Sequence, residues 1–120
     1  MSATPGFLEV EGLTMRFGGL VAVNNVSFRQ TEGEIRSIIG PNGAGKTTIF
    51  NMMTGFYRPT AGEIRFRGEP IVGLATHLVS GQGIIRTFQK TMVFPTVTVR
   101  EGILMGLHRS SRVSWWDILW

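Results

Sequence analysis

The chain has no cysteine among its 120 residues. This absence excludes disulfide bonds, thiol chemistry and metal sites built on thiolates. No apolar run approaches the ~18 residues that a membrane-spanning helix needs. Residues 1–6 also lack the basic start and the apolar stretch of a secretory signal. We therefore expect a cytoplasmic protein, either soluble or peripheral to a membrane.

Positive charge is present but it is not concentrated. The formal net charge is +4, with 12 lysines and arginines against 8 acidic residues. The arginines are scattered along the chain, which is typical of a solvated surface rather than of a nucleic-acid interface. We expect no nucleic-acid partner. The length allows one small domain or part of a larger one, and the 16 glycines suit an α/β protein with tight turns.

One stretch, GPNGAGKT from Gly40 to Thr47, fits the pattern G-x-x-x-x-G-K-[ST] without a mismatch. Its three glycines let the main chain come close to a polyphosphate. Lys46 can place a positive charge on the β- and γ-phosphates, and the Thr47 hydroxyl can join the shell of a Mg²⁺ ion. The alternative, a glycine-rich turn that binds nothing, does not explain why Lys-Thr follows the third glycine. The stretch therefore predicts a site for a nucleoside triphosphate.

The flanking sequence predicts the strand and the helix that such a loop requires. The β-branched run at residues 35–39 predicts a strand before the loop. Residues 48–54 carry apolar side chains at 49, 50, 52 and 53, on one helical face, and Gly55 is placed to end this helix.

The rest of the chain predicts further short elements. Alternating apolar residues predict strands at 7–13, 26–29, 63–68 and 83–88, a turn at 31–34, and a moderate helical tendency at 71–80. Thr98 and Glu101 form a capping box, so a helix is expected to begin there. Its buried face is predicted to contain Val99, Ile103, Leu104 and Leu107.

Several stretches, in order, resemble the first half of an ABC transporter ATP-binding subunit. They are MRFGG, LVAVNNVSF, EGEIRSIIGPNGAGKTTIFNMMTGFYRPTAGEI, GIIRTFQ and FPTVTVREG. The stretches RFGGLVAVNNVSF and GIIRTFQ are most similar to those of subunits that energise branched-chain amino-acid uptake. Relatives for amides or urea look similar. The resemblance implies an α/β fold of the P-loop NTPase class, here an incomplete ABC-type nucleotide-binding domain. Residues 1–88 would be an N-terminal antiparallel β portion with the P-loop core, and 89–120 the Q-loop and the start of the helical subdomain.

The resemblance also implies roles for single residues. Phe17 would stack on the adenine ring, although an ordinary core residue at a strand end is the alternative. Ala22 would lie against the nucleotide. Gln89 would be the catalytic Q-loop residue that reaches the Mg²⁺ shell or the attacking water, with a surface glutamine as the alternative. The implied nucleotide-binding residues are Phe17, Ala22, Gly40, Pro41, Asn42, Gly43, Ala44, Gly45, Lys46, Thr47 and Thr48, and the implied magnesium ligands are Thr47 and Gln89.

The cofactors implied are ATP and Mg²⁺, and the partners are membrane permease subunits and a second ATP-binding subunit. The protein would sit on the inner face of the cell membrane and act as an ATPase that drives import. The alternatives are an ABC-type ATPase without a transport role, or another P-loop protein such as a kinase or a GTPase.

The carboxylates that this family uses for hydrolysis are not in the sequence. The only aspartate is Asp117, and no Asp-Glu pair exists. Neither His77 nor His108 follows an apolar strand as a switch histidine does, and VSGQG at 79–83 is a poor match to the family signature. We therefore expect an N-terminal portion that binds ATP, does not hydrolyse it alone, and leaves apolar surface bare, so that it aggregates or needs a partner.

Overall fold

The computed structural model describes residues 6–87 and 96–107. The chain divides into two compact units, residues 1–86 and 87–120. The first unit contains β1 Leu8–Phe17, β2 Leu20–Gln30, α1 Lys46–Met53, β3 Ala61–Phe66, β4 Glu69–Pro70 and α2 Thr76–Gly81, and the second contains α3 Val99–Leu107. Within the described ranges, no helix is both long and apolar enough to cross a membrane.

The strands form one antiparallel sheet in the order β2-β1-β3-β4. Its presence agrees with the expected N-terminal antiparallel portion. β1 and β2 are longer than predicted because their hairpin turns at Gly18-Gly19, where Gly18 has a φ of 57°. Phe17, the last residue of β1, consequently pairs with Leu20.

One face of this sheet packs against α1. The buried core consists of Val10, Leu13, Val23, Ile49, Met52, Met53, Ile64, Phe66, Ile71 and Val79. Charged residues occupy the other side of the central strands: Glu9 lies opposite both Arg29 and Arg65, and Arg29 Nε is 2.9 Å from Glu9 Oε1. This alternation along β1 is the pattern expected when one face is buried and the other meets water.

Two predicted strands, at 35–39 and 83–88, are not strands in the described residues. Ile35 and Ile39 have 95% and 93% of their surface exposed, whereas Ile38 and Ile84 pack against the core. A strand is held by hydrogen bonds to a neighbouring strand, and neither segment pairs with a strand of the described chain. The apolar runs therefore predicted strands that have no pairing partner in the described part of the chain.

The boundaries of α1 and α2 agree only in part with those predicted from the sequence. α1 begins two residues earlier than predicted, and Gly55, with a φ of 73°, follows its end as expected. α2 is shorter than the tendency at 71–80 because Gly73 turns the chain at a φ of 85° before it starts.

α3 follows its predicted capping box. The Thr98 N–H and hydroxyl each donate to Glu101 Oε2 at 2.8 Å. The predicted buried face is wrong for Val99, Ile103 and Leu104, which are exposed, and the Leu107 side chain lies outside the described residues. Residues 96–107, the described part of the second unit, contain no element besides α3 against which this face could pack.

Candidate phosphate-binding site

The loop from Gly40 to Gly45 leads directly into α1, and its shape requires glycine at two positions. Gly43 and Gly45 have φ values of 85° and 84°, in the left-handed region that glycine adopts without strain. A Cβ at Gly45 would also run into the Ala22 carbonyl oxygen and lie 3.1 Å from Val23 Cγ2. The loop is thus held closely against β2.

The N-terminus of α1 is left open to an anion. Gly45 is the N-cap and makes no side-chain capping bond, and no acidic residue lies in the first turn. The main-chain N–H groups of Gly43 and of residues 45–48 donate to no acceptor in the described part of the chain. Such free donors, together with the positive end of the helix dipole, are what a phosphate group binds.

Lys46 adds a full positive charge to these donors. Its Nζ donates to the carbonyl oxygens of Gly40 and Pro41, at 2.5 Å and 2.6 Å. These bonds fold the side chain back over the start of the loop, so the ammonium group belongs to the same small region as the free N–H groups. Thr47, the next residue, is exposed.

Magnesium would find few protein ligands here. The described residues contain no group of three or more histidine, cysteine, aspartate or glutamate side chains that could hold a metal ion. The Thr47 hydroxyl is one oxygen ligand of the kind that Mg²⁺ accepts, and this ion usually completes its shell with water and phosphate oxygens. The donor set therefore fits a magnesium ion that arrives with a nucleotide.

Glu34 precedes the loop in sequence and bonds within the turn at 31–34 and to Arg36. Its pKa is held below the usual range, first by the N–H of Thr31 and also by the Arg36 guanidinium, whose Nη2 is 2.7 Å from Glu34 Oε1. This carboxylate is engaged within its own turn. It is a structural feature of the segment before the loop.

Phe17 and Ala22 lie at the same end of the β1–β2 hairpin. Phe17 pairs with Leu20, which is two residues, or roughly 7 Å, from Ala22 along the strand. The Phe17 side chain is 42% exposed and lies outside the buried core, which does not suit the ordinary core residue considered above. Gln89 lies outside the described residues.

Tyr57 and Asn51 connect to this region, and neither of them was identified from the sequence. The Tyr57 ring contacts Phe17 edge-to-face, with centroids 5.4 Å apart and an interplanar angle of 75°. The Asn51 carbonyl oxygen accepts the N–H groups of Phe56 and Tyr57, and Asn51 Oδ1 accepts a bond from Arg86 Nη1. The adjacent aromatic residues after α1 were a possible signal, but nothing in their spacing indicates Phe17 as a neighbour.

A family profile and individual relatives both match this chain to ABC transporter proteins. The ABC transporter family profile matches residues 23–118. The chain is 55% identical over 102 residues to the high-affinity branched-chain amino acid transport ATP-binding protein BraF of Pseudomonas aeruginosa, and 51% identical to LivG of Escherichia coli. Each of these alignments covers 85% of this chain and 40% of the relative. The chain thus spans about 40% of the length of these curated relatives.

A more distant relative and a solved structure are also similar to this chain. The ribose import ATP-binding protein RbsA 2 of Rhizobium johnstonii is 37% identical over 102 residues, which are 85% of this chain and 20% of that protein. Among solved structures, the ADP conformation of MJ1267, an ATP-binding cassette of an ABC transporter, superposes with a TM-score of 0.69 at 35% identity, covering 73% of this chain and 35% of that one.

Proposed function

Because the chain belongs to the ABC transporter family, we propose that it is the nucleotide-binding portion of the ATP-binding subunit of an importer for branched-chain amino acids. The observation that carries the proposal is the open N-terminus of α1, where free main-chain N–H groups and the Lys46 ammonium group converge. Its chemistry suits the phosphates of ATP.

Each residue has a defined task in this proposal. The N–H groups of residues 43 and 45–48 bind phosphate oxygens, and Lys46 exchanges its bonds to the loop carbonyls for bonds to the β- and γ-phosphates. The Phe17 ring stacks on the base, and Thr47 with Gln89 orients the magnesium shell. When bound, Mg-ATP supplies the phosphoanhydride bond whose cleavage drives transport. The 120 residues contain no Asp-Glu pair, so the proposal for this chain covers binding and not hydrolysis.

The proposed partners are membrane permease subunits and a second ATP-binding subunit, with the protein peripheral on the inner face of the cell membrane. The substrate class rests on the relatives. The two relatives named for branched-chain amino acid transport are 51% and 55% identical, against 37% for the one named for ribose import. This difference favours branched-chain amino acids.

The first experiment measures equilibrium binding of ATP, with GTP as competitor, by the 120-residue chain. The Lys46→Ala variant should bind ATP about 10- to 100-fold more weakly, because a charge-assisted bond to phosphate is lost. The matched control is Arg58→Ala, which removes an exposed cation elsewhere in the first unit and should leave the affinity unchanged. Equal affinity in wild type and Lys46→Ala would refute the phosphate site.

The second experiment tests the partner. The chain is co-expressed with the membrane subunits of a branched-chain amino acid importer or with those of a ribose importer, and each permease is purified in detergent. Retention by the first and not by the second is the expected result. Retention by neither, or co-purification with nucleic acid, would contradict the transport assignment.

A further inference from the structure

We propose that Tyr57 is a positioning residue that holds the Phe17 ring in the orientation that the base requires. The inference rests on the proposed function and extends it from the phosphates to the nucleoside. It assigns to Tyr57 control over the affinity for the base, with little effect on the affinity for the phosphates.

The contact between the two rings is the first observation. Phe17 ends β1 and is 42% exposed, so few other groups restrict its ring. Tyr57 is partly buried and packs against the core. Its edge-to-face contact with Phe17, at 5.4 Å between centroids, is within the preferred range for aromatic pairs. A ring anchored on the core thus supports a ring that is open to solvent.

The main chain of Tyr57 is fixed in turn. Its N–H donates to the Asn51 carbonyl oxygen at 3.0 Å, and the N–H of Phe56 donates to the same oxygen at 2.8 Å. The Asn51 side chain accepts a bond from Arg86. Tyr57 is therefore held by Asn51, a residue in the last turn of α1 whose main-chain and side-chain oxygens both accept hydrogen bonds.

The same helix carries both ends of the proposed site. α1 has its phosphate donors at Lys46 and, through Asn51 and Tyr57, sets the position of Phe17. An eight-residue helix is about 12 Å long and rigid. The helix then fixes the separation between the phosphate groups and the stacking ring, because Tyr57 is hydrogen-bonded to the end of the helix and contacts Phe17.

Phe56 provides a matched control because it is the adjacent aromatic residue. Its ring also contacts Tyr57, with centroids 5.3 Å apart, but it is 67% exposed. Within the described residues its ring makes no aromatic contact with Phe17. Loss of this ring changes the local apolar surface and leaves the contact between Tyr57 and Phe17 in place.

The test compares two ligands, ATP and inorganic tripolyphosphate, with the full 120-residue chain. Tyr57→Leu should weaken ATP binding by roughly threefold to tenfold, the scale of one aromatic pair, and leave tripolyphosphate binding unchanged. Tyr57→Phe keeps the ring and should bind ATP as wild type does, as should Phe56→Leu. In a Phe17→Ala background, Tyr57→Leu should cause no additional loss, because the ring that it positions is gone.

A general structural role predicts a different result. If Tyr57→Leu weakens binding of both ligands equally, or if its effect adds fully to that of Phe17→Ala, the proposal is wrong. Tyr57→Met, with a side chain of similar length, gives the same comparison if Tyr57→Leu lowers the melting temperature. Failure of the proposed function looks different again: in that case Lys46→Ala would leave the binding of both ligands unchanged.

Discussion

The helices α1 and α3 differ in whether the main-chain N–H groups at their N-termini have hydrogen-bond acceptors. In α3, Thr98 and Glu101 bind each other and the free main-chain donors, so the helix start is closed by its own side chains. In α1, Gly45 caps without a side chain, and the donors of the first turn stay free. The start of α1 therefore keeps main-chain donors available to an anion, whereas the start of α3 does not.

Their apolar faces differ as well. α1 buries Ile49, Met52 and Met53 in the core, whereas the apolar residues of α3 are exposed. α1 can do without a side-chain cap because tertiary packing holds it. α3, in the described part of its own unit, depends on local bonds for its stability.

The largest expected effect comes from closing the space beside α1. Gly45→Ala should lower the free energy of unfolding by about 2–5 kcal/mol, since a left-handed alanine is strained and its Cβ would meet the Ala22 carbonyl. Gly43→Ala is the matched control: it has the same φ but no atom within 4 Å of an added Cβ, so only the strain remains. Chemical denaturation measures both, and equal losses would contradict the close contact.

A smaller effect should follow from giving α1 the acidic residue that α3 has. Thr48 and Glu101 both occupy the third helical position, so Thr48→Glu copies the closed helix start onto the open one. The carboxylate should weaken ATP binding by about 30-fold or more through repulsion of phosphate, without lowering the melting temperature. Thr48→Gln, equal in shape and neutral, is the control. If the two variants bind ATP equally well, phosphates do not bind at this helix start.

Removing the cap of α3 should have an effect of about 1 kcal/mol on that helix. Thr98→Ala takes away the hydroxyl that bonds to Glu101 and to the Glu101 N–H. Amide hydrogen exchange should then speed up in the first turn of α3 and stay unchanged in α1. Thr76→Ala, at the first residue of α2, is the control, because no side-chain cap is present there. Unchanged exchange in α3 would mean that the capping box does not hold the helix start.

The smallest effect concerns pH. Hydrogen bonds from the Thr98 N–H and then from the Thr98 hydroxyl lower the pKa of Glu101. The carboxylate therefore stabilises α3 above the unfolded-state pKa of about 4.3, and this contribution is lost as the pH falls through the lower folded-state pKa. Amide exchange of α3 measured at decreasing pH, corrected for the intrinsic exchange rate, should show the loss in wild type and not in Glu101→Gln. An identical pH profile in both proteins would exclude the ionised cap.

The features that the sequence predicted well are local ones. The helix after the glycine-rich loop, the stop at Gly55 and the capping box at Thr98 each depend on residues within a few positions of one another. Backbone conformations and caps of this kind are determined by nearby atoms, so a motif is sufficient to predict them.

The features that the sequence could not predict depend on distant partners. The isoleucines at 35–39 indicate a strand, but a strand forms only beside another one. The face of α3 is apolar in sequence, yet burial needs a second surface. The contact of Tyr57 with Phe17 joins residues 40 positions apart through the folding of the sheet onto α1, and no periodicity in either segment encodes it.

The contact between Tyr57 and Phe17 has a practical consequence for spectroscopy. Tyr57 is the only tyrosine in the 120 residues. Growth on 3-fluorotyrosine would therefore place a single ¹⁹F nucleus in the chain, on the ring beside Phe17. Its chemical shift responds to nearby aromatic ring currents, so the arrival of an adenine base at Phe17 would be seen as movement of one resonance in an otherwise empty spectrum.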